Sequence, residues 1–94
     1  MLDAARLVAI RKRLALSQEQ MARLLNVSFV TVNRWEGGHS GPTGSTLDLY
    51  TAIDVAIRAG QSPEAITRAA SGERGSFLYT LFRMAYAHSG GKSR

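Results

Sequence analysis

The stretch QEQMARLLNVSFVTVNRWE, residues 18–36, predicts two short helices joined by a tight turn. Ser17 precedes the first helix as an N-cap, and Gln20 stands three residues later to complete a capping box. Asn26 lies where the chain must turn, because asparagine tolerates the left-handed conformation. Ser28 is the predicted N-cap of the second helix. The two helices are predicted over 18–25 and 29–36.

Apolar spacing on both sides of this stretch predicts further helices. Leu7, Ile10 and Leu14 recur at intervals of three and four residues, which places them on one stripe of a helix. The predicted helices run from the N-cap Asp3 to Ala15, from Ser45 to Ala59 with Gly60 beyond the end, and from Pro63 to Ala70; residues 37–44 form a loop. No segment alternates apolar and polar residues over the length of a strand. The predicted fold class is therefore all-α, a compact bundle of about five helices plus a C-terminal helix.

Composition limits the classes of function. A chain of 94 residues has the length of one domain and leaves little room for a deep catalytic cleft. It has no cysteine, and its two histidines lie far apart, so a metal site is not expected. No apolar run reaches the roughly 20 residues of a membrane helix, and no signal peptide is recognisable. We expect a cytoplasmic protein that is not an enzyme, needs no cofactor and does not bind a membrane.

The net charge of +5 suits a polyanionic partner, because basic side chains release counterions from nucleic acid. The basic residues are nevertheless spread evenly along the chain, with six in residues 1–44 and six in residues 45–94. Charge alone would therefore fit an ordinary solvated surface equally well. Any prediction of DNA binding must depend on the residues of the helices.

Spaced residues in the first half of the chain resemble the phage-repressor and Cro-like (XRE-type) helix-turn-helix family. They are Ile10-Arg11, Leu16-Ser17-Gln18, the stretch 18–36, Gly38 and Pro42, within Leu7–Ile53. The resemblance implies a protein that binds double-stranded DNA, with the second helix of the stretch in the major groove. It also implies that Arg11 and Glu36 form an ion pair with a structural role. The helix dipole favours that pair too, because a lone acid is disfavoured at a helix C-terminus.

The outward face of the helix 29–36 supplies the candidate base-reading residues, which are Phe29, Val30, Thr31, Asn33 and Arg34. Asn33 suits adenine, and Arg34 suits guanine or a phosphate. Val30 is best interpreted as a contact to thymine methyl groups. Phe29 has three interpretations of equal weight: a thymine contact, packing onto the core, or contact with a protein partner. Trp35 is better interpreted as a core residue than as a platform for base stacking, because it follows Val32 at a spacing of three.

Phosphate contacts fix the register of a protein on DNA without reading sequence. The candidate phosphate-binding residues are Gln18, Ser28 and Gly38. Gln18 and Ser28 stand at helix starts, where amide groups and the helix dipole favour an anion. Gly38 belongs to the loop 37–44, whose glycines allow the backbone to approach the sugar-phosphate chain.

We divide the chain into a DNA-binding domain over 1–70 and a second region over 71–94. This second region comprises a hinge, a last helix from Ser76 to about His88, and a frayed tail. The apolar face of the last helix fits two interpretations, packing onto the first domain or self-association as a homodimer. The predicted function is a transcriptional repressor. The alternative is the DNA-binding antitoxin of a toxin–antitoxin pair, with the toxin as protein partner.

Overall fold

The computed structural model describes residues 2–71, which form five α-helices and no strand, so the predicted all-α class is confirmed. The helices are α1 (Ala4–Arg13), α2 (Gln18–Leu25), α3 (Phe29–Glu36), α4 (Gly44–Arg58) and α5 (Pro63–Ala70). The chain divides into two compact units, one up to Thr51 and one from Ala52. The predicted hinge beyond Ser71, the last helix and the tail lie outside the described residues.

The first helix begins as predicted and ends two residues early. Asp3 accepts a hydrogen bond from the backbone N–H of Arg6 at 2.9 Å, so it is the N-cap. α1 stops at Arg13 and not at Ala15, because Ala15 adopts a left-handed φ of 61°. The N–H of Leu16 then donates to the carbonyl of Arg11 at 3.2 Å, which closes a Schellman-type helix end. Alanine carries no signal for this conformation, which glycine usually occupies.

The connection between α2 and α3 follows the sequence closely. Ser17 and Gln20 form the reciprocal capping box, at 3.1 Å and 2.8 Å. Asn26 has a φ of 61° and a ψ of 46°, in the left-handed region, which reverses the chain after α2. The N–H of Val27 donates to the carbonyl of Ala22 at 2.9 Å. Ser28 then caps α3 by accepting from the N–H of Thr31 at 3.1 Å. The turn is thus fixed by hydrogen bonds on both sides.

The fourth helix starts at Gly44, one residue before the predicted cap Ser45, and ends at Arg58, one residue before Ala59. Gly44 has a φ of 57°, a left-handed conformation that turns the chain into the helix and that the sequence did not reveal. Gly60 has a φ of 89° beyond the other end, in the position predicted for it.

The first unit has a core built from one face of each of its helices. α2 and α1 both pack against α3. The buried side chains are Leu7, Ile10 and Leu14 from α1 and its C-cap, Met21, Ala22 and Leu25 from α2, Val32 and Trp35 from α3, and Leu49 and Tyr50 from α4. Burying one such side chain contributes about 1.5–3 kcal/mol. This core fixes the orientation of α3, the helix on which the candidate site lies.

The second unit contains the end of α4 and α5. Among its residues up to Ser71, the buried ones are Ala52, Ile53, Ala56 and Ile66. Ser62 caps α5 by accepting from the N–H of Ala65 at 3.1 Å, and Pro63 occupies the first helical position, as predicted. Within residues 2–71, no helix is both long and apolar enough to cross a membrane.

Candidate nucleic-acid interface

One face of α3 is exposed while the opposite face is buried. Val32 is fully buried and Trp35 is only 9% exposed, so both anchor the helix to the core. On the other side Phe29 and Val30 are 46% and 62% exposed, which is unusual for apolar side chains at neighbouring positions. Phe29 is therefore not packed into the core, and the interpretations that remain are a thymine contact and a contact with a protein partner.

The polar residues predicted for base reading differ in their exposure and in their hydrogen bonds. Asn33 and Arg34 are exposed on α3, whereas Thr31 is half-buried. The hydroxyl of Thr31 lies 2.8 Å from that of Ser28, and Ser28 also accepts from the N–H of Thr31. These two hydroxyls are therefore engaged with each other at the start of α3. Asn33 is also engaged, because its Nδ2 donates to Oε1 of Gln18.

The guanidinium of Arg11 contacts the carboxylate of Glu36 in a bidentate arrangement. Nε donates to Oε2 at 2.7 Å and Nη2 donates to Oε1 at 2.9 Å. The two side chains are 14% and 4% exposed, so the pair is well shielded from water. Nη1 of Arg11 also donates to the carbonyl of Leu16 at 2.9 Å. These contacts join α1, the α1–α2 connection and the last residue of α3.

Gln18 extends this arrangement toward the exposed face. Its Nε2 donates to Oε1 of Glu36 at 2.9 Å, and its Oε1 accepts from Nδ2 of Asn33 at 3.1 Å. The structure therefore brings four predicted site residues into one hydrogen-bonded chain, Arg11, Glu36, Gln18 and Asn33. From the sequence, Gln18 and Asn33 are predicted as separate contacts, one to a phosphate and one to a base. Their separation of 15 residues belongs to no helical repeat, so no local pattern could have linked them.

The ion pair shifts the protonation equilibria of both partners. Burial by itself would raise the pKa of Glu36, but hydrogen bonds from Arg11 and Gln18 and the positive charge of Arg11 outweigh burial and lower the pKa below its usual value. The hydrogen bond to Glu36 raises the pKa of Arg11. Glu36 is therefore a carboxylate at neutral pH, and its oxygens only accept hydrogen bonds.

Tyr50 lies beside this pair and was not singled out by the sequence analysis. Its ring packs edge-on against Trp35, with ring centroids 6.1 Å apart and an interplanar angle of 73°. The residue is fully buried, and its hydroxyl has no hydrogen-bond partner among the described residues. Burial raises the pKa of Tyr50 far above its usual value. Tyr50 and Trp35 thus pack together in the core, against which the buried face of α3 lies.

Gly38 ends the α3 segment in the conformation that glycine favours. It has a φ of 82°, and a Cβ at this position would contact nothing within 4 Å. The N–H of His39 donates to the carbonyl of Arg34 at 3.0 Å, which closes the helix end. Gly38 is exposed, and its own N–H donates to the carbonyl of Trp35 at 3.2 Å.

The exposed face of α3 offers hydrogen-bond donors, an acceptor and apolar surface. Those are the groups with which proteins contact base edges in the major groove. Among residues 2–71, no three His, Asp or Glu side chains are grouped so that they could hold a metal ion.

Comparison with known proteins identifies the family. Residues 7–53, half of the chain, match the family model described as helix-turn-helix. Searches of curated proteins and of solved structures each gave no match. The matched family is a DNA-binding regulatory family and not a known enzyme family. Its model covers α1 from Leu7 onward, all of α2 and α3, and the start of α4. The chain therefore belongs to the Cro/C1-type helix-turn-helix family and is a DNA-binding regulator of transcription.

Proposed function

We propose that this protein is a repressor that binds its operator with α3 in the major groove. One observation carries the proposal: α3 buries Val32 and Trp35 while its opposite face exposes Phe29, Val30 and Arg34. A helix held rigidly by one face and exposed on the other suits insertion into a groove about 12 Å wide. Repression would follow when the bound protein excludes polymerase from a promoter.

The proposed base contacts follow from the chemistry of the exposed side chains. Arg34 is suited to guanine, because its guanidinium matches the O6 and N7 acceptors. Val30 and Phe29 are suited to thymine methyl groups, which are the apolar feature of the major groove. Asn33 is suited to adenine. Thr31 is assigned a smaller part, because its hydroxyl is engaged with Ser28.

The proposed phosphate contacts come from Gln18, Ser28 and Gly38. Nε2 of Gln18 uses one hydrogen for Glu36, and its second hydrogen can donate to a phosphate at the start of α2. Ser28 stands at the start of α3, where the helix dipole favours an anion, although its hydroxyl is engaged with Thr31 in the free protein. Gly38 would allow the sugar-phosphate chain to approach closely, because it has no side chain; its own N–H donates to Trp35. A homodimer on paired half-sites would double these contacts, and we propose that state for the DNA complex.

A second candidate function is supported by the exposed apolar pair. Phe29 and Val30 would also suit a protein partner, as in an antitoxin that binds both DNA and a toxin. The two functions differ in their effect on DNA affinity. Substitution of the pair weakens operator binding in a repressor that reads with these residues, but leaves it unchanged if the pair contacts only a protein.

The test is fluorescence anisotropy with a duplex selected by the protein from a random pool, and with a scrambled duplex. Both affinities should fall steeply as salt rises, because phosphate neutralisation supplies the non-specific term. Arg34→Gln should lower affinity for the selected duplex by roughly tenfold. Arg68→Gln, which makes the same change of charge on α5, is the matched control and should preserve the ratio between the two duplexes. Absence of binding at low salt would refute the proposal.

A further inference from the structure

Four side chains form a continuous hydrogen-bonded chain from the interior to the proposed reading face. Arg11 donates to Glu36, Gln18 donates to Glu36 at 2.9 Å, and Asn33 donates to Gln18 at 3.1 Å. The chain begins at a shielded ion pair and ends at an exposed amide on α3. Each link has a definite direction, from donor to acceptor, and all three directions lead toward the carboxylate.

The carboxylate of Glu36 sets these directions. Its oxygens only accept, so Gln18 must turn its NH₂ group toward them. The Oε1 of Gln18 then faces Asn33, and Asn33 must turn its own NH₂ group toward Gln18. Reversal of either amide would place two acceptors or two donors against each other, because both ends of an amide are polar. The charge of an interior residue therefore determines how an exposed amide is oriented.

We propose that Gln18 is a positioning residue, which holds the side chain of Asn33 in the one orientation that reads adenine in preference to guanine. This inference rests on the proposed function, since it concerns α3 in the major groove. Held in this way, Asn33 retains Oδ1 as an acceptor and the second hydrogen of Nδ2 as a donor. Adenine presents the complementary pair, an acceptor at N7 and a donor at N6.

Guanine presents two acceptors, N7 and O6, at the same edge. A freely rotating Asn33 could turn Nδ2 toward O6, whereas the held amide would oppose O6 with its own acceptor. The contact with Gln18 thus adds discrimination against guanine. The contact also restricts Asn33 before DNA binds. Less side-chain entropy is then lost on binding, which favours affinity.

The two hydrogen bonds of Gln18, to Glu36 and from Asn33, are not required to build the fold. Ser17 and Gln20 cap α2 without Gln18, and the bidentate pair of Arg11 and Glu36 holds α3 directly. Removing the amide of Gln18 should therefore change recognition far more than stability. Gln18→Met is the suitable variant, since methionine preserves the length and the aliphatic stem without the amide.

The experiment measures binding of four proteins to a duplex that the wild-type protein selects from a random pool. The proteins are the wild type, Gln18→Met, Asn33→Ala and the double variant. At the position where Asn33→Ala abolishes the preference for adenine, wild type should prefer adenine to guanine by roughly tenfold. Gln18→Met should reduce that preference to within about threefold. In the Asn33→Ala background, Gln18→Met should not change the ratio of affinities for adenine and guanine at that position any further.

A second measurement needs no DNA. In the free protein, side-chain NMR should show an ordered NH₂ group on Asn33 that becomes mobile in Gln18→Met. If Gln18→Met keeps the full preference for adenine, or if Asn33 is equally mobile in both proteins, the inference is overturned while the proposed function stands. If wild type binds no selected duplex at all, the proposed function itself fails, and an ordered Asn33 would then mark a purely structural contact.

Discussion

Arg11 donates two hydrogen bonds to the carboxylate of Glu36, from Nε at 2.7 Å and from Nη2 at 2.9 Å. Glu36 is the last residue of α3, where the negative end of the helix dipole disfavours an acid. The pair is therefore stabilised by its geometry, and it fixes the end of the proposed reading helix to α1. The orientation of the exposed face depends on this contact as well as on the apolar core.

Loss of either partner should destabilise the protein. Arg11→Ala leaves a shielded carboxylate without its counter-charge, which should cost about 1–3 kcal/mol of unfolding free energy. Urea denaturation of Arg11→Ala, Glu36→Ala and the double variant gives the coupling energy, which should be at least about 1 kcal/mol. Arg58→Ala tests an exposed pair, that with Asp54 at 3.1 Å, and should cost far less. Additive effects of Arg11→Ala and Glu36→Ala would contradict the prediction.

The same pair should make stability depend on acid pH. The pKa of Glu36 is lower in the folded protein than its ordinary value of 4.5. Its contribution is therefore complete above about pH 4.5 and is lost as the pH falls through the folded pKa, because the unfolded chain binds the proton first. Glu36→Gln has no such titration. The difference in unfolding free energy between wild type and Glu36→Gln should be constant near neutral pH and shrink below pH 4.5; a difference independent of pH would refute this.

The hydroxyl of Tyr50, which has no hydrogen-bond partner within residues 2–71, should contribute nothing to stability. Removing a buried polar group that lacks a partner also removes its desolvation penalty, so Tyr50→Phe should be neutral or stabilising by up to about 1 kcal/mol. The ring contact with Trp35 is preserved in this variant. Tyr50→Leu, which loses the ring, should be destabilised by about 1–3 kcal/mol. A loss above about 1 kcal/mol for Tyr50→Phe in thermal or urea unfolding would show that the hydroxyl is hydrogen-bonded in solution.

Ala15 offers a stabilising substitution. Its φ of 61° is strained for alanine and relaxed for glycine, so Ala15→Gly should raise the unfolding free energy by roughly 0.5–1 kcal/mol. Ala9→Gly is the matched control, since Ala9 is also exposed but lies inside α1. That substitution should cost about 1 kcal/mol. Equal effects of the two substitutions in urea denaturation would show that Ala15 is not left-handed in solution.

Local chemistry explains why much of the fold was predictable. The caps at Ser17, Ser28 and Ser62 and the reversal at Asn26 each depend on residues within a few positions of one another. Apolar stripes gave the buried face of α1 in the same way. The strained end of α1 was missed, because Ala15 resembles any helical alanine. The spacing of apolar residues does not show where a helix ends when hydrogen bonds in the following turn, here from Ala15 and Leu16, close it.

The candidate site was less predictable for a different reason. The exposed face of α3 is what remains after the core positions are removed, so Val30, Asn33 and Arg34 could be named from the sequence. The contact of Gln18 with Asn33 could not, since it depends on how α2 and α3 are placed in space. The burial of Tyr50 beside Trp35 likewise depends on tertiary packing between α3 and the start of α4. Pairings between distant residues require the fold first.

The exposed pair at the start of α3 gives the most direct test of base reading. Val30 is 62% exposed and carries no polar atom on its side chain, so its contribution to specificity must come from apolar contact. In the major groove only thymine presents a methyl group. Val30→Ala should therefore weaken binding to the selected duplex by about 1 kcal/mol and hardly change binding to a scrambled duplex.

Removing the methyl group from the DNA should reproduce this loss. Replacing the contacted thymine by uracil keeps the base pair and every hydrogen-bonding group, and it should weaken wild type by the same increment as Val30→Ala. Applied together, the two changes should cost no more than either alone, because both remove one contact. Additive losses would mean that Val30 and the thymine methyl do not touch. If Val30→Ala and Phe29→Ala both leave the ratio of selected to scrambled affinity unchanged, this apolar surface does not read DNA, and a protein partner becomes the better assignment for it.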